Sequence, residues 1–221
     1  MPSTLENPFT PKKDLPTKRL FGGEEKRREL GAKATKRIQE TKEKVTKVKY
    51  GELEILKPQA EFLYEMEKEL RDIAKEKGEE LSKKAAIEKL VYRIEVDKSG
   101  NIEKIDFEKM ELKKLPNLDK LTKLQKLNCS DNRCLELLPN LDKLANLQNL
   151  TCVNNQLTSL PNLDKLVNLE YLVCIRNQLT SLPDLDKLVK LKLLALMGNP
   201  LTEKAIKKIK SQVPENCHVE I

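Results

Sequence analysis

Between residues 115 and 201 the chain repeats one short passage four times, with copies opening at Leu115, Leu138, Leu160 and Leu182. They read L-P-N-L-D-K-L-T-K-L-Q-K-L-N-C, L-P-N-L-D-K-L-A-N-L-Q-N-L-T-C, L-P-N-L-D-K-L-V-N-L-E-Y-L-V-C and L-P-D-L-D-K-L-V-K-L-K-L-L-A-L. The offsets are 23, 22 and 22 residues. A unit this small cannot bury its own apolar face, so a fixed period in this range demands a stack of units, a solenoid. Stacks of this kind present extended surfaces, and the period therefore points to recognition before any single residue does.

Within each unit Leu recurs at steps of three and ends in a Leu-x-Cys or Leu-x-Leu pair: Leu121, Leu124, Leu127 and Cys129 in the first copy, Leu188, Leu191, Leu194 and Leu196 in the last. The alternating pair predicts a short strand with both apolar side chains on one face. The Asn that follows (Asn132, Asn155, Asn177, Asn199) suits a buried ladder in which amides satisfy backbone groups of adjoining turns. Pro116, Pro139, Pro161 and Pro183 punctuate the outer side, and 22 residues leave room only for 3₁₀ or irregular turns there. This pattern resembles the leucine-rich repeat family, and its 22-residue form looks most like the internalin-type and phosphatase-regulator-type repeats. The resemblance implies an α/β solenoid, a curved right-handed superhelix with a parallel sheet on its concave side. The stretch 132–138 is one residue longer than its later copies and reads as a bulge on one turn. Upstream, Ile102, Ile105, Phe107, Met110, Leu112 and Leu115 fall 22 residues before Leu124, Leu127, Cys129, Asn132, Cys134 and Leu137, a degenerate first turn in which Met110 replaces the Asn.

Aromatic residues make up only 4% of the chain and Trp is absent, so the expected core is a leucine ladder. No apolar run approaches the length needed to span a bilayer. Residues 1–23 lack the apolar region of a signal peptide, and the expected location is cytoplasmic. Cys129, Cys152 and Cys174 occupy one inward position in successive copies, where free thiols pack well in a reducing compartment. Zinc wants four convergent ligands, and this spacing supplies no second pair, so neither a metal nor a cofactor is expected. His218 is the single histidine, no nucleophile–base set has a sequence signature, and the seven glycines include no phosphate loop. No enzyme is expected.

Five segments follow. Residues 1–22, with Pro2, Pro8, Pro11 and Pro16, are expected to be disordered, and residues 23–56 to form a basic charged helix or linker. Residues 1–60 carry fifteen Lys and Arg against nine Asp and Glu, the main source of the net charge of +7. This arm reads as a solvated segment, or as an electrostatic tether to nucleic acid, ribosome or an anionic lipid surface, or as a helix that docks only when a partner is present. The acids interrupting the basic run and the near absence of aromatics favour the first. In residues 57–101, Phe62, Leu63, Met66, Leu70, Ile73 and Ala74 recur at helical spacing, a second helix follows over 85–91, and Tyr92, Ile94 and Val96 alternate as an edge strand. This segment is expected to cap the first turn, the alternative being a dimerisation element. Residues 102–201 are the repeats. Residues 202–221 are expected to close the stack, with Thr202 capping a helix over 203–212 and a short strand after it.

The residues flanking the inward Leu and Cys face the concave side. Their columns run Lys126, Asn149, Tyr171, Leu193; then Asn128, Thr151, Val173, Ala195; then Ser130, Val153, Ile175, Met197, each growing more apolar toward the C-terminal end. Val153, Tyr171, Val173, Ile175, Leu193, Ala195 and Met197, bordered by Arg176, are the expected partner site, since contiguous exposed apolar surface marks interaction. β-branched residues also suit strands for backbone reasons alone. The convex Asp-Lys pairs, Asp119-Lys120 and its repeats, read as solvated turns. The sequence thus predicts a monomeric, non-enzymatic adaptor or regulator that binds a protein on the concave face. The rival is a nucleic-acid- or ribosome-associated protein tethered by its basic arm. An effector with a catalytic cysteine domain is disfavoured, because the hundred residues before the stack contain no Cys.

Overall fold

A computed structural model describes residues 47–221; the expected tail and the basic helix up to residue 46 lie outside the described residues. The first described element corrects an expectation. Residues 47–56, assigned to a charged helix or linker, form an antiparallel hairpin of β1 (Lys47–Tyr50) and β2 (Leu53–Leu56). Tyr50 and Ile55 are buried by it, and alternation around Gly51 was the signal that the surrounding Glu and Lys obscured. Gly51 sits at φ +60°, and a Cβ there would stand 2.7 Å from Val91 Cγ2, so the turn admits no side chain.

Helix α1 (Lys57–Glu76) starts without a gap after the hairpin, helped by a proline in its first turn. It buries Phe62, Leu63, Met66, Leu70 and Ile73, the residues expected to share one face. Helix α2 (Lys83–Val91) follows, with Ser82 as N-cap accepting from the Ala85 amide at 3.2 Å. Stacking, hydrogen bonding and ion pairing all join this region to the first turn of the stack. Phe62 stacks on Phe107 with centroids 6.2 Å apart. Buried Gln59 accepts the Ile102 amide at 2.7 Å through Oε1. Lys113 pairs with Glu76 at the helix end.

A seven-stranded sheet runs in the order β3 (Ile94–Val96), β4 (Ile102–Asp106), β5 (Lys126–Asn128), β6 (Asn149–Thr151), β7 (Tyr171–Val173), β8 (Leu193–Ala195), β9 (His218–Glu220). β3 is antiparallel to β4 and every later neighbour is parallel. The chain is a parallel-sheet solenoid. Opposite the strands each unit makes consecutive 3₁₀-type turns: the Leu121 amide donates to Leu118 O at 2.8 Å and the Leu124 amide to Leu121 O at 2.9 Å, with the same pair in the later copies. Because side chains three apart eclipse in such turns, Leu118, Leu121 and Leu124 all point inward. Asn117, Asn140 and Asn162 open these turns by accepting the amide of the Asp two residues on, at 2.6, 2.8 and 3.1 Å. In the fourth copy Asp184 replaces that Asn.

The Asn ladder forms as its chemistry requires. Asn177 Nδ2 donates to Cys152 O at 2.7 Å and Cys174 O at 3.1 Å, while its Oδ1 accepts the Leu157 amide at 3.0 Å. The longer unit alters this once. Leu135, and not Cys134, takes the inward position, and Leu138, not Leu137, is buried after it. The offset from the first turn is therefore 22 residues up to Asn132 and 23 beyond. The Leu135 amide closes a tight turn on Asn132 O at 2.8 Å, so Asn155 Oδ1 accepts from the Asn132 amide instead.

Helix α3 (Glu203–Gln212) begins at Thr202, which accepts the Ala205 amide at 3.1 Å, and it buries Ala205 and Ile209. Gln212 and Lys208 bind Asp184, and these two contacts hold its carboxyl below the usual carboxylate range.

Candidate functional site

Parallel pairing in register places equivalent positions of successive repeats side by side across the sheet. Tyr171 lies between Asn149 and Leu193, and Val173 between Thr151 and Ala195. The ladder continues past the strands: the Asn154 amide donates to Ile175 O at 2.9 Å and the Arg176 amide to Met197 O at 2.8 Å. Val153, Ile175 and Met197 therefore form a third file beside the first two.

The expected site residues do not all reach the surface. Tyr171 and Met197 are 37% and 42% exposed. Val153, Val173, Ile175 and Leu193 are half-buried, each showing an edge, and Arg176 is exposed. Ala195 is 1% exposed. It is paired on one side with Val173 and on the other with Glu220, and its small side chain sits below its neighbours. Ala195 is thus floor, not contact surface. Strand alternation says which way a residue points but not whether larger neighbours overtop it.

Two residues that sequence reasoning left in the C-terminal closure belong to the same face. β9 runs parallel to β8, so His218 lies beside Leu193 and Glu220 beside Ala195, with His218 Nε2 3.2 Å from Glu220 Oε1. The signal was the alternation of His218, Val219 and Glu220 after the Pro214 turn.

The charges on this face are largely matched among themselves. Lys192 Nζ lies 2.6 Å from Glu170 Oε2, Lys104 Nζ 2.7 Å from Glu95 Oε1, and Lys109 Nζ 2.7 Å from Glu108 Oε1. The hydrogen bond to each carboxylate is the main cause that raises the three lysines above their ordinary values. Asn154 Nδ2 donates to Asp131 and Asn128 Nδ2 to Asp106. Among the described residues Arg176 has no carboxylate within ion-pair distance, and neither has Lys126, two strands away at the polar end.

A backbone feature runs along the rim. The residue before each ladder position is left-handed: Lys109 (φ 57°), Asp131 (58°), Asn154 (54°), Arg176 (53°) and Gly198 (74°). Asp, Asn and Gly tolerate this region, whereas Arg has no such compensation. Arg176→Asn is accordingly expected to stabilise the protein by roughly 0.5–1 kcal/mol, since Asn adopts the left-handed region at lower cost. An unchanged or lower midpoint in urea denaturation would refute the strain.

Beneath the sheet Cys129, Cys152 and Cys174 are fully buried in file, with Cys129 Sγ 3.3 Å from Cys152 Sγ. Thiol hydrogen bonds with Cys129 and Cys174, followed by burial, push the Cys152 thiol well above its ordinary value. One thiol per strand forms a column, not a convergent set, and no group of three or more His, Cys, Asp or Glu gathers for a metal among the described residues. A groove of about 690 Å³ lies between the β1–β2 turn and α2, lined by Gly51, Ile87, Val91 and Tyr92 among others. None of the described helices is long and apolar enough to cross a membrane.

The family model for leucine rich repeats, in two copies, matches residues 145–187. Those residues contain β6, β7 and the turns between them. No curated protein sequence matches the chain. Among solved structures, one of a leucine-rich repeat protein of Leptospira interrogans is 23% identical over 49% of this chain, with a TM-score of 0.39. The match spans 35% of that protein's length.

Proposed function

We propose that this leucine-rich repeat protein is a non-enzymatic interaction module that binds a protein partner on the C-terminal half of its concave sheet face, as an adaptor or regulator in the cytoplasm. The observation that carries this reading is the change along the three files. Lys126, Asn128 and Ser130 give way to Tyr171, Val173 and Ile175, then to Leu193 and Met197, on a face whose charges are otherwise largely matched. Exposed Tyr and Met beside an Arg have the composition of binding hot spots. The same reading takes residues 57–101 as cover for the first turn and residues 202–221 for the last. The burial of Phe62 and Ile209 in one continuous core supports it.

The test compares proteins captured by the whole chain with those captured by a Tyr171→Ala, Ile175→Glu, Met197→Glu variant, after circular dichroism shows both folded. A partner retained by the first and lost, by more than tenfold, from the second is the expected result. Equal capture by both removes the patch from consideration. Capture that instead disappears on deleting residues 1–46, and weakens steeply with salt, would move the function to the basic arm.

A further inference from the structure

We propose that Arg176 is the specificity determinant of this face and that the segment bound there is an apolar stretch of protein carrying one Asp or Glu side chain, which pairs with the Arg176 guanidinium. The inference rests on the proposed use of the same face for protein binding.

Two features of Arg176 are independent of its place beside the patch. The first is its backbone. It holds the left-handed conformation at φ 53°, in a file where Asp131, Asn154 and Gly198 supply residues that suit it. Strain kept at an exposed position points to use. Lys109 shares the conformation but is occupied by Glu108 at 2.7 Å. The second is the room made for its stem. A Cβ on Gly198 would meet Arg176 Cγ at 3.1 Å, so the missing side chain of the next repeat leaves the space that the aliphatic part of Arg176 lies against. The stem thereby lies against Gly198, next in sequence to Met197, whose carbonyl accepts the Arg176 amide at 2.8 Å.

Charge then selects the occupant. Lys192 is paired with Glu170 and His218 faces Glu220, whereas Arg176 has no acidic partner among the described residues. A partner that covers the apolar files and offers no carboxylate buries an unmatched cation, which is costly. One that places a carboxylate at the rim gains two parallel charge-assisted hydrogen bonds from a planar fork, strengthened as water leaves. The face therefore discriminates by penalty as much as by attraction.

The experiment is selection of random 12-residue peptides displayed with no free C-terminus, on the full chain, on Arg176→Gln and Arg176→Glu, and on Ile175→Glu, Met197→Glu. Melting curves confirm that each is folded. Peptides enriched on the unaltered chain should combine apolar residues with an Asp or Glu at a fixed offset. Arg176→Gln should bind them about tenfold more weakly, the worth of one charged hydrogen-bonded contact. Arg176→Glu should select Lys or Arg at the same offset. Apolar peptides without an acidic preference, or a preference that the Arg176 variants leave intact, would overturn the pairing while leaving the patch in place. Enrichment that is absent, or equally strong on Ile175→Glu, Met197→Glu, would overturn both.

Discussion

Asn177→Ala is expected to destabilise the protein by roughly 3–5 kcal/mol, far more than the removal of one polar side chain suggests. The amide is buried and serves two adjoining turns: it donates to Cys152 O and Cys174 O and accepts from the Leu157 amide. Alanine leaves Cys152 O and the Leu157 amide without a partner and opens no path for water, while Cys174 O keeps its bond from Asn199 Nδ2 at 2.8 Å. Every group left buried and unsatisfied costs about 1–3 kcal/mol, and at least two are orphaned. The measurement is the urea midpoint, read beside hydrogen exchange at the Leu157 amide. A loss below about 1 kcal/mol would mean that the turns rearrange to satisfy themselves, and the ladder would no longer explain how strandless segments stack. In a solenoid each unit contacts only its neighbours, so the greatest loss of protection is expected in the turns on either side of Asn177.

Phe107→Ala should cost about 3–5 kcal/mol, the usual range for emptying a buried aromatic site. Its particular interest is position. Phe107 is fully buried at the junction of the first turn with α1, where it stacks on Phe62, and its carbonyl accepts from Asn132 Nδ2 at 2.9 Å. The core runs without interruption from Tyr50 to Ile209. One cooperative unit is therefore expected, with the helical signal at 222 nm and the protection of the buried Cys152 thiol from labelling lost together, and the substitution should shift both midpoints equally. If the helical transition alone moved, the N-terminal helices and the repeats would be separate folding units, and the continuous core would be a contact without cooperativity.

The repeats were legible because the sequence states each constraint several times. Leu at steps of three encodes consecutive 3₁₀-type turns, since only such a turn eclipses residues three apart, and the structure has them. A buried Asn after each strand encodes the ladder for a similar reason: few other residues both donate and accept at that point. What was not legible was stated once. In the longer unit, Cys134, Leu135, Leu137 and Leu138 offer two apolar registers, and hydrophobicity does not choose between them. The turn closed by the Leu135 amide on Asn132 O does. The hairpin over 47–56 rests on four-residue strands in a stretch whose Glu and Lys favour helix, so the short alternation lost to the longer propensity. The left-handed file was legible only in part, because Asp131, Asn154 and Gly198 suit that conformation while Lys109 and Arg176 share it without any such signature. In the candidate site, alternation assigned Val153, Tyr171, Val173, Ile175, Leu193 and Met197 to the sheet's outer face. It failed on Ala195, which is too short to reach solvent, and it omitted His218 and Glu220, which enter only because a non-repeat strand extends the sheet.

The internal matching of charges on the sheet face has a kinetic meaning. A surface on which Lys104, Lys109 and Lys192 are each answered by a neighbouring carboxylate, leaving Lys126 and Arg176 as separate single cations, projects only a weak field beyond the Debye length. It does little to draw a partner in from a distance or to orient it on approach. Encounters there are governed by diffusion and by the chance of correct alignment, and salt changes their frequency little. Selection among partners must then act after contact, through how long each one stays.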